Sequence, residues 1–179
     1  MSASARPTNV GQASRLPSSW FNTAERIAAL EREARRWLGT PFFPNSNTPG
    51  PRGGVSCQKL VAEVYRGAGF CDVPVPEVPM AHARFSTRSL MEEFLVRRPE
   101  MVRLPAPTTP LLWRDVLPGD LLGFRIYRTI HHMGIVLGPT GQVFIHSLDG
   151  MGTIISSLLD ATWSTRLAAV WRPLDGEFI

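Results

Sequence analysis

The chain has 179 residues, 44% of them hydrophobic, with 16 prolines, 15 glycines and a formal charge of +4. This length predicts one globular domain with long loops and is short for two domains. The basic residues are scattered among acids without a run of five like charges. The net positive charge suits an anionic partner. Because the basic residues form no cluster, we expect no nucleic acid partner. No apolar stretch reaches the length of about 18 residues that a membrane span needs, so none is expected.

Residues 1–18 are polar and rich in turn-forming residues, which predicts a flexible N-terminal tail ahead of a single domain over residues 19–179. The tail lacks the apolar run of about seven residues that Sec signal peptides contain. We therefore expect a cytoplasmic protein, or one exported by a phage or by a dedicated secretion route.

The segment NTAERIAALEREARRWLG has the periodicity of an amphipathic helix. Asn22 or Thr23 is the predicted N-cap, and Gly39 is the predicted stop. The loop that follows is predicted to cover residues 40–54. The apolar face of this helix is predicted to consist of Ile27, Leu30, Ala34, Trp37 and Leu38.

A second helix is predicted to start at Cys57 and to run to about residue 69. A third, SLMEEFLVRR, has Ser89 and Glu92 in capping-box positions. A proline-rich insertion is predicted at about residues 71–118, around this third helix. The apolar face of the second helix is predicted to consist of Leu60, Val61, Val64, Tyr65 and Ala68.

From Asp120 onward, short segments with the composition of strands are separated by turn residues. They are DLLGFRIYR, HHMGIVLG, QVFIHSL, GTIISSL and RLAAVWRP. Asp120 itself is predicted to fix a tight turn into the first strand. Helices followed by closely spaced strands are typical of an α+β domain with an antiparallel sheet.

Cys57 lies three residues before Leu60, on the apolar face of its helix. The N–H groups and partial positive charge of a helix N-terminus stabilise a thiolate, which predicts a thiol pKa lowered from about 8.5 into the range of about 3.5–7.5. The alternative is a buried structural cysteine. Cys71 would lie about 20 Å away along the helix, too far for a disulfide. We therefore expect two free thiols and a reducing compartment.

Two consecutive predicted strands carry histidines that could serve this thiol as a base. If GPTG closes with a three-residue loop, Val136 pairs with Gln142 and His132 with His146, while His131 points to the other face. A two- or four-residue loop would separate the two histidines onto opposite faces. The spacing thus permits an imidazole pair, although each histidine could also be a half-buried strand residue bonded to backbone.

Five short elements resemble, in the same order, those of the NlpC-type cell-wall cysteine peptidases. They are WLGTPF, SCQKLVAEVY, LPGDLLGF, HMGIVLG and FIHS. The resemblance implies a papain-like domain in which N-terminal helices pack on an antiparallel β-sheet. It also implies that Cys57 is the nucleophile, His132 the base and His146 the residue that orients the base.

Four positions depart from the family pattern where that family recognises its substrate. Ser56 replaces an aspartate, Gln58 and Lys59 replace a serine and a glycine, and Phe42 replaces a tyrosine. In family members that cut next to γ-D-glutamate, the aspartate, serine and tyrosine help to bind the amine end of the stem peptide. Phe42, Ser56, Gln58 and Lys59 are therefore candidate substrate-binding residues, and they predict a changed substrate rather than a changed reaction.

The resemblance implies a cysteine hydrolase that cleaves an amide bond, in a peptidoglycan stem peptide or another amide substrate, by a Cys-His-His triad and without a cofactor or metal. A zinc site made of Cys57, His132 and His146 is conceivable, but it would not require a cysteine at a helix start. The alternatives are a catalytically inactive NlpC-like binding module, associated with a phage tail or a secretion system, and a thiol acyltransferase.

Overall fold

A computed structural model describes residues 16–44, 46–72, 75–76, 78–105 and 116–176. Residues 1–15 of the predicted tail lie outside the described residues, as do residues 73–74, 77 and 106–115 of the predicted insertion. At the end of the predicted tail, the carbonyl oxygen of Pro17 accepts a hydrogen bond of 3.3 Å from the Arg172 guanidinium.

Each of the three predicted helices is present, and a serine or threonine hydroxyl caps its first turn. Thr23 accepts from the Arg26 N–H, and Ser56 accepts from the Lys59 N–H. Ser89 caps the third predicted helix in the same way. The described helices are α1 (Ala24–Arg36), α2 (Cys57–Gly67), α3 (Met80–Phe85), α4 (Leu90–Leu95) and α5 (Ala161–Ser164).

The five predicted strands are present in an antiparallel sheet, which confirms the α+β fold. Along this sheet the strand order is β3-β8-β4-β5-β6-β7, and a separate pair is formed by β1 and β2. The strands are β1 (Asn47–Thr48), β2 (Gly54–Val55), β3 (Met101–Arg103), β4 (Leu121–Ile126), β5 (Thr129–Leu137), β6 (Val143–Leu148), β7 (Gly152–Ser157) and β8 (Leu167–Pro173).

Five short elements among the described residues were not predicted from the sequence, namely β1, β2, α3, β3 and α5. The predicted loop 40–54 contains the β1–β2 pair, and Phe42 forms a parallel bridge with Val55. Within the predicted insertion, α3 forms without a side-chain cap at Pro79, and β3 pairs with β8. Elements of two to six residues carry too little periodicity to detect, and β3 depends on hydrogen bonds from a distant strand.

The predicted apolar face of α1 is wrong at Leu38. Leu30, Ala34 and Trp37 are buried, but Leu38 is 38% exposed. The helix ends at Arg36, and Gly39 adopts a left-handed conformation with a φ of 76°. Residue 38 therefore no longer follows the helical rotation that would have turned it toward the core.

The two faces of the sheet are covered by different apolar clusters. On one face, the predicted apolar face of α2 packs against β-strand residues such as Ile135 and Ile145, and α1 packs on α2. On the other face, Phe124, Phe144 and Trp163 form the centre of a second cluster. Since alternate strand residues point to opposite faces, these clusters reflect the period of two in β4, β5 and β6.

Asp120 forms the predicted turn into β4. Its carboxylate accepts the Leu117 N–H at 2.9 Å, and its own N–H donates to the Leu117 carbonyl oxygen at 3.0 Å. The same carboxylate also pairs through both oxygens with Arg172, at 3.0 and 2.8 Å, and both side chains are buried. The turn is thereby fixed to β8 as well as to β4.

The predicted register of the β5–β6 hairpin is wrong by two residues. Val136 pairs with Phe144 rather than Gln142, so residues 138–142 form the loop. Gly138 and Gly141 have φ values of 72° and 66°, which allow the longer turn, and the Gln142 carbonyl accepts from Leu158 instead. A shift of two residues leaves the faces unchanged, so the predicted parity still holds.

Candidate active site

Cys57 is the first residue of α2 and lies against the edge of β5. The N–H and C=O of Val136 bond toward β4, so Met133 and Ile135 turn their backbone groups toward β6. Pairing with β6 ends at Ile135, which leaves a gap between the two strands. The start of α2 occupies this gap, and the Cys57 sulfur lies 3.9 Å from the carbonyl oxygen of His131.

Two further hydrogen bonds hold the start of α2 in this gap. The Gln58 side-chain amide donates to the same His131 carbonyl oxygen at 3.2 Å. On the other side, the Ser147 hydroxyl of β6 donates to the Val55 carbonyl oxygen at 2.8 Å, two residues before Cys57. The helix start is therefore fixed to both β5 and β6, beside the strands that carry the histidines.

The predicted lowering of the thiol pKa is wrong. Burial raises the pKa of Cys57 to about 11, because only 4% of the residue is exposed and a thiolate would lose its hydration. The backbone N–H groups of Met133, Gln58 and Cys57 itself lower this pKa, but by less than burial raises it. The thiol is therefore neutral at rest near neutral pH. As predicted, Cys57 and Cys71 are both free.

His132 and His146 form the predicted imidazole pair. His132 Nε2 lies 2.8 Å from His146 Nδ1. On the far side, His146 Nε2 lies 2.8 Å from the hydroxyl of Ser156 in β7. Sequence reasoning missed Ser156, although the alternation in GTIISS would have placed it on the face of His146 once the β6–β7 register was known.

Aromatic rings enclose the imidazole pair. Trp163 stacks on His132 with a centroid distance of 5.4 Å and contacts His146 edge-on at 4.6 Å. Phe124 packs against His132, and Phe144 packs against His146. Burial lowers the pKa of His132 well below its usual value, with smaller effects from neighbouring positive charges, and lowers the pKa of His146 to about 4. Both imidazoles are therefore neutral near neutral pH.

The thiol contacts the backbone of β5 on either side of His132, the residue whose ring belongs to the imidazole pair. The sulfur contacts His131 O, and the N–H of Met133 stabilises its thiolate, so the sulfur interacts with the residues on either side of His132. In the part of the chain that the structure describes, no hydrogen bond joins Cys57 to the His132 ring. His132 Nε2 bonds to His146, whereas Nδ1 has no hydrogen bond to a described residue.

His131 does not join the imidazole pair. A shift in the β4–β5 register makes it an extra residue between Ile130, which pairs with Arg125, and His132, which pairs with Phe124. Its ring is buried, and its Nδ1 has no hydrogen-bond partner among the described residues. The structure thus separates the two adjacent histidines, in agreement with the strand parity.

The four candidate substrate-binding residues differ in their surroundings. Ser56 and Gln58 are buried, and their side chains cap α2 and bind His131 O, respectively. Lys59 is half-buried and lines a pocket of about 350 Å³ on the outer side of α2. Phe42 is half-buried beside Val55, at the strand that leads into Cys57.

None of the described helices is long and apolar enough to cross a membrane. Within the described ranges, no group of three or more histidine, cysteine, aspartate or glutamate side chains is placed to hold a metal ion.

The chain is similar to solved structures of NlpC/P60 proteins. A lipoprotein-like member of the NLP/P60 family from Staphylococcus aureus matches 93% of this chain with 19% identity and a TM-score of 0.57. NlpC1 from Trichomonas vaginalis matches 87% of it with 15% identity and a TM-score of 0.55. This chain spans 46% of the length of each of those chains.

No protein-family model and no curated protein matches the sequence. The likeness in structure therefore extends well beyond the likeness in sequence, as expected for a divergent relative. The chain has the NlpC-type, papain-like α+β fold.

Proposed function

We propose that the protein is a cysteine hydrolase that cleaves an amide bond, with Cys57 as nucleophile, His132 as base and His146 as the residue that orients the base. The observation that carries this proposal is the 2.8 Å contact of His132 Nε2 with His146 Nδ1, beside a capped helix start that bears a thiol. A nucleophile, a base and an orienting group are the parts that thiol catalysis of acyl transfer needs.

The reaction begins from a neutral thiol and a neutral imidazole. The Cys57 S–H bond breaks as sulfur attacks the carbonyl carbon, and the proton passes to His132 Nδ1. The backbone N–H groups of Cys57 and Gln58, which already stabilise the thiolate, would stabilise the oxyanion. Because burial disfavours both a free thiolate and a free imidazolium, proton transfer accompanies attack rather than preceding it.

Two further steps complete the cycle. His132 returns its proton to the nitrogen of the leaving amine as the C–N bond breaks, which leaves a thioester on Cys57. Water, activated by His132, attacks the thioester and releases a carboxylic acid. The thiol and the neutral imidazole are then restored.

The proposed substrate is a peptide amide, and the sequence resemblance favours a peptidoglycan stem peptide. The side chains of Ser56 and Gln58 form hydrogen bonds to the protein's own backbone. Neither therefore offers a substrate the carboxylate charge or the free hydroxyl that the family pattern has at these positions. Phe42 replaces the phenol of that pattern. We therefore propose a stem peptide whose amine end is not recognised by a carboxylate at position 56.

The test is incubation with purified muropeptides, followed by mass spectrometry of the products. Wild-type protein is expected to cleave a stem-peptide amide, and Cys57→Ala and His132→Ala are expected to lack activity. Gln142→Ala, in the hairpin loop away from the pair, is a folding-matched control that should retain it.

One observation favours a second candidate, a catalytically inactive binding module. Cys57 is buried, protonated and without a hydrogen bond to the described His132 ring. This candidate predicts co-sedimentation of the protein with peptidoglycan, equal for wild type and Cys57→Ala, without any cleaved product. Cleavage by wild type alone would exclude it.

A further inference from the structure

The hydrogen-bond chain that begins at His132 continues beyond His146 to β7. Ser156 Oγ lies 2.8 Å from His146 Nε2, and His146 Nδ1 lies 2.8 Å from His132 Nε2. His146 is fully buried, whereas Ser156 is partly exposed to solvent. Ser156 is therefore the point at which a buried pair of imidazoles reaches a group in contact with water.

Only one arrangement of protons along this chain leaves His132 able to act as a base. A neutral imidazole carries its proton on one nitrogen and a lone pair on the other. If His132 Nε2–H donates to His146 Nδ1, then His146 Nε2–H must donate to Ser156 Oγ, and His132 Nδ1 keeps a free lone pair. If Ser156 donates instead, the chain reverses and His132 carries its proton on Nδ1.

The protonated state of His132 also requires the first arrangement. When Nδ1 takes the thiol proton, both ring nitrogens of His132 become donors, so His146 Nδ1 must accept and His146 Nε2–H needs an acceptor of its own. No described carboxylate bonds to either ring. The charged and titratable groups that act on His132 are His146, His131 and Arg166, and each disfavours its imidazolium.

We propose that Ser156 is a positioning residue whose oxygen accepts the His146 Nε2–H, and so holds His132 in the tautomer with a free Nδ1. The proposal rests on the proposed function, because it explains why Nδ1 of the proposed base, His132, is free to accept a proton. No proton passes through Ser156 during the cycle. Its oxygen keeps one hydrogen bond while the S–H bond of Cys57 breaks and the Nδ1–H bond of His132 forms.

The experiment compares three substitutions at position 156 in the full chain. Ser156→Ala removes the acceptor and is expected to lower kcat about tenfold with KM within about twofold. Ser156→Thr retains the hydroxyl and is expected to restore kcat. Ser156→Asp offers only acceptor oxygens and is expected to move the acidic limb of the kcat/KM profile to higher pH.

Ser157→Ala is the matched control, because Ser157 lies next to Ser156 on the same strand and its hydroxyl bonds to Gln142 and Leu159 instead. It is expected to leave kcat and the pH profile unchanged. If Ser156→Ala had the same small effect as Ser157→Ala, the proposal would be overturned.

A second measurement does not depend on substrate. Nitrogen-15 NMR of the imidazoles is expected to show the proton on Nε2 of both His132 and His146 in the wild type, and a mixture of tautomers in Ser156→Ala. A proton on Nδ1 of wild-type His132 would overturn the proposal. If no amide is cleaved, the proposed function fails, but the NMR result still decides the role of Ser156.

Discussion

His132 and His146 bond to each other although they are not direct partners in the sheet. Their rings meet at 2.8 Å, yet the register that pairs Ile135 with Ile145 would, continued by one residue beyond the end of the pairing, place His146 opposite Gly134. Diagonal neighbours two residues apart across a strand pair are about 7–8 Å apart, a distance that two imidazoles can span. Residue 134, two residues after His132 in β5, is a glycine, and the Phe144 ring packs closely against it.

Gly134→Ala is expected to disturb this pair. A Cβ at residue 134 would lie 2.6 Å from Phe144 Cδ2, so the ring that borders His146 would have to move. We expect a loss of about 1–3 kcal/mol in the free energy of unfolding, measured with urea, together with reduced kcat. Adding Phe144→Leu should recover part of the stability. If the losses in stability of the two single variants simply added in the double variant, the contact between residue 134 and Phe144 would not be the cause.

The thiol of Cys57 is expected to react slowly at neutral pH. Since burial raises its pKa to about 11, the rate of iodoacetamide modification should rise about tenfold per pH unit between about pH 7 and pH 10. A Cys71→Ser background makes the label specific, and mass spectrometry gives the rate. A plateau near pH 6 that disappears in His132→Ala would instead show a resting thiolate–imidazolium pair.

The protein is expected to lose stability in mild acid. His146 has a pKa of about 4 in the folded chain and about 6.5 when unfolded, so the unfolded state takes up its proton first. The free energy of unfolding should therefore be fully present above about pH 6.5 and should fall by about 3 kcal/mol as pH drops to 4.

Burial lowers the pKa of His132 as well, so it adds to the loss in the same direction. Urea titrations across this pH range measure the effect, and His146→Asn should flatten the pH dependence. An unchanged slope in that variant would assign the effect to other groups.

The buried pair of Asp120 and Arg172 is expected to be essential for stability. Asp120→Asn keeps an oxygen for the Leu117 N–H but removes the carboxylate charge that faces the buried guanidinium, which should cost about 3–5 kcal/mol. Adding Arg172→Met removes the buried positive charge as well and should restore much of the loss. A cost below about 1 kcal/mol in the single variant, measured by urea unfolding, would contradict an essential role of the Asp120 charge.

Much of the fold was predictable because its signals are local. Thr23 and Ser89 cap the helices for which they were predicted as caps, and the apolar face of α2 is buried as its spacing predicted. Strand alternation placed His132 and His146 on one face even though the predicted pairing was two residues out, because a side-chain period of two preserves parity under that shift. The family resemblance identified the fold.

Other properties of the site were decided only by tertiary structure. The protonation state of Cys57 depends on burial, which outweighs the backbone N–H groups that its position at a helix start supplies. The diagonal contact of the histidines and the contact of Ser156 with His146 depend on the registers of three strands.

The sequence by itself therefore determined where the helices begin and on which face of their strands His132 and His146 can lie, because caps and alternation act within a few residues. Only the tertiary structure decided the charge of the thiol and the partners of the imidazoles. Desolvation and strand register arise from segments far apart in the chain, and no local pattern encodes them.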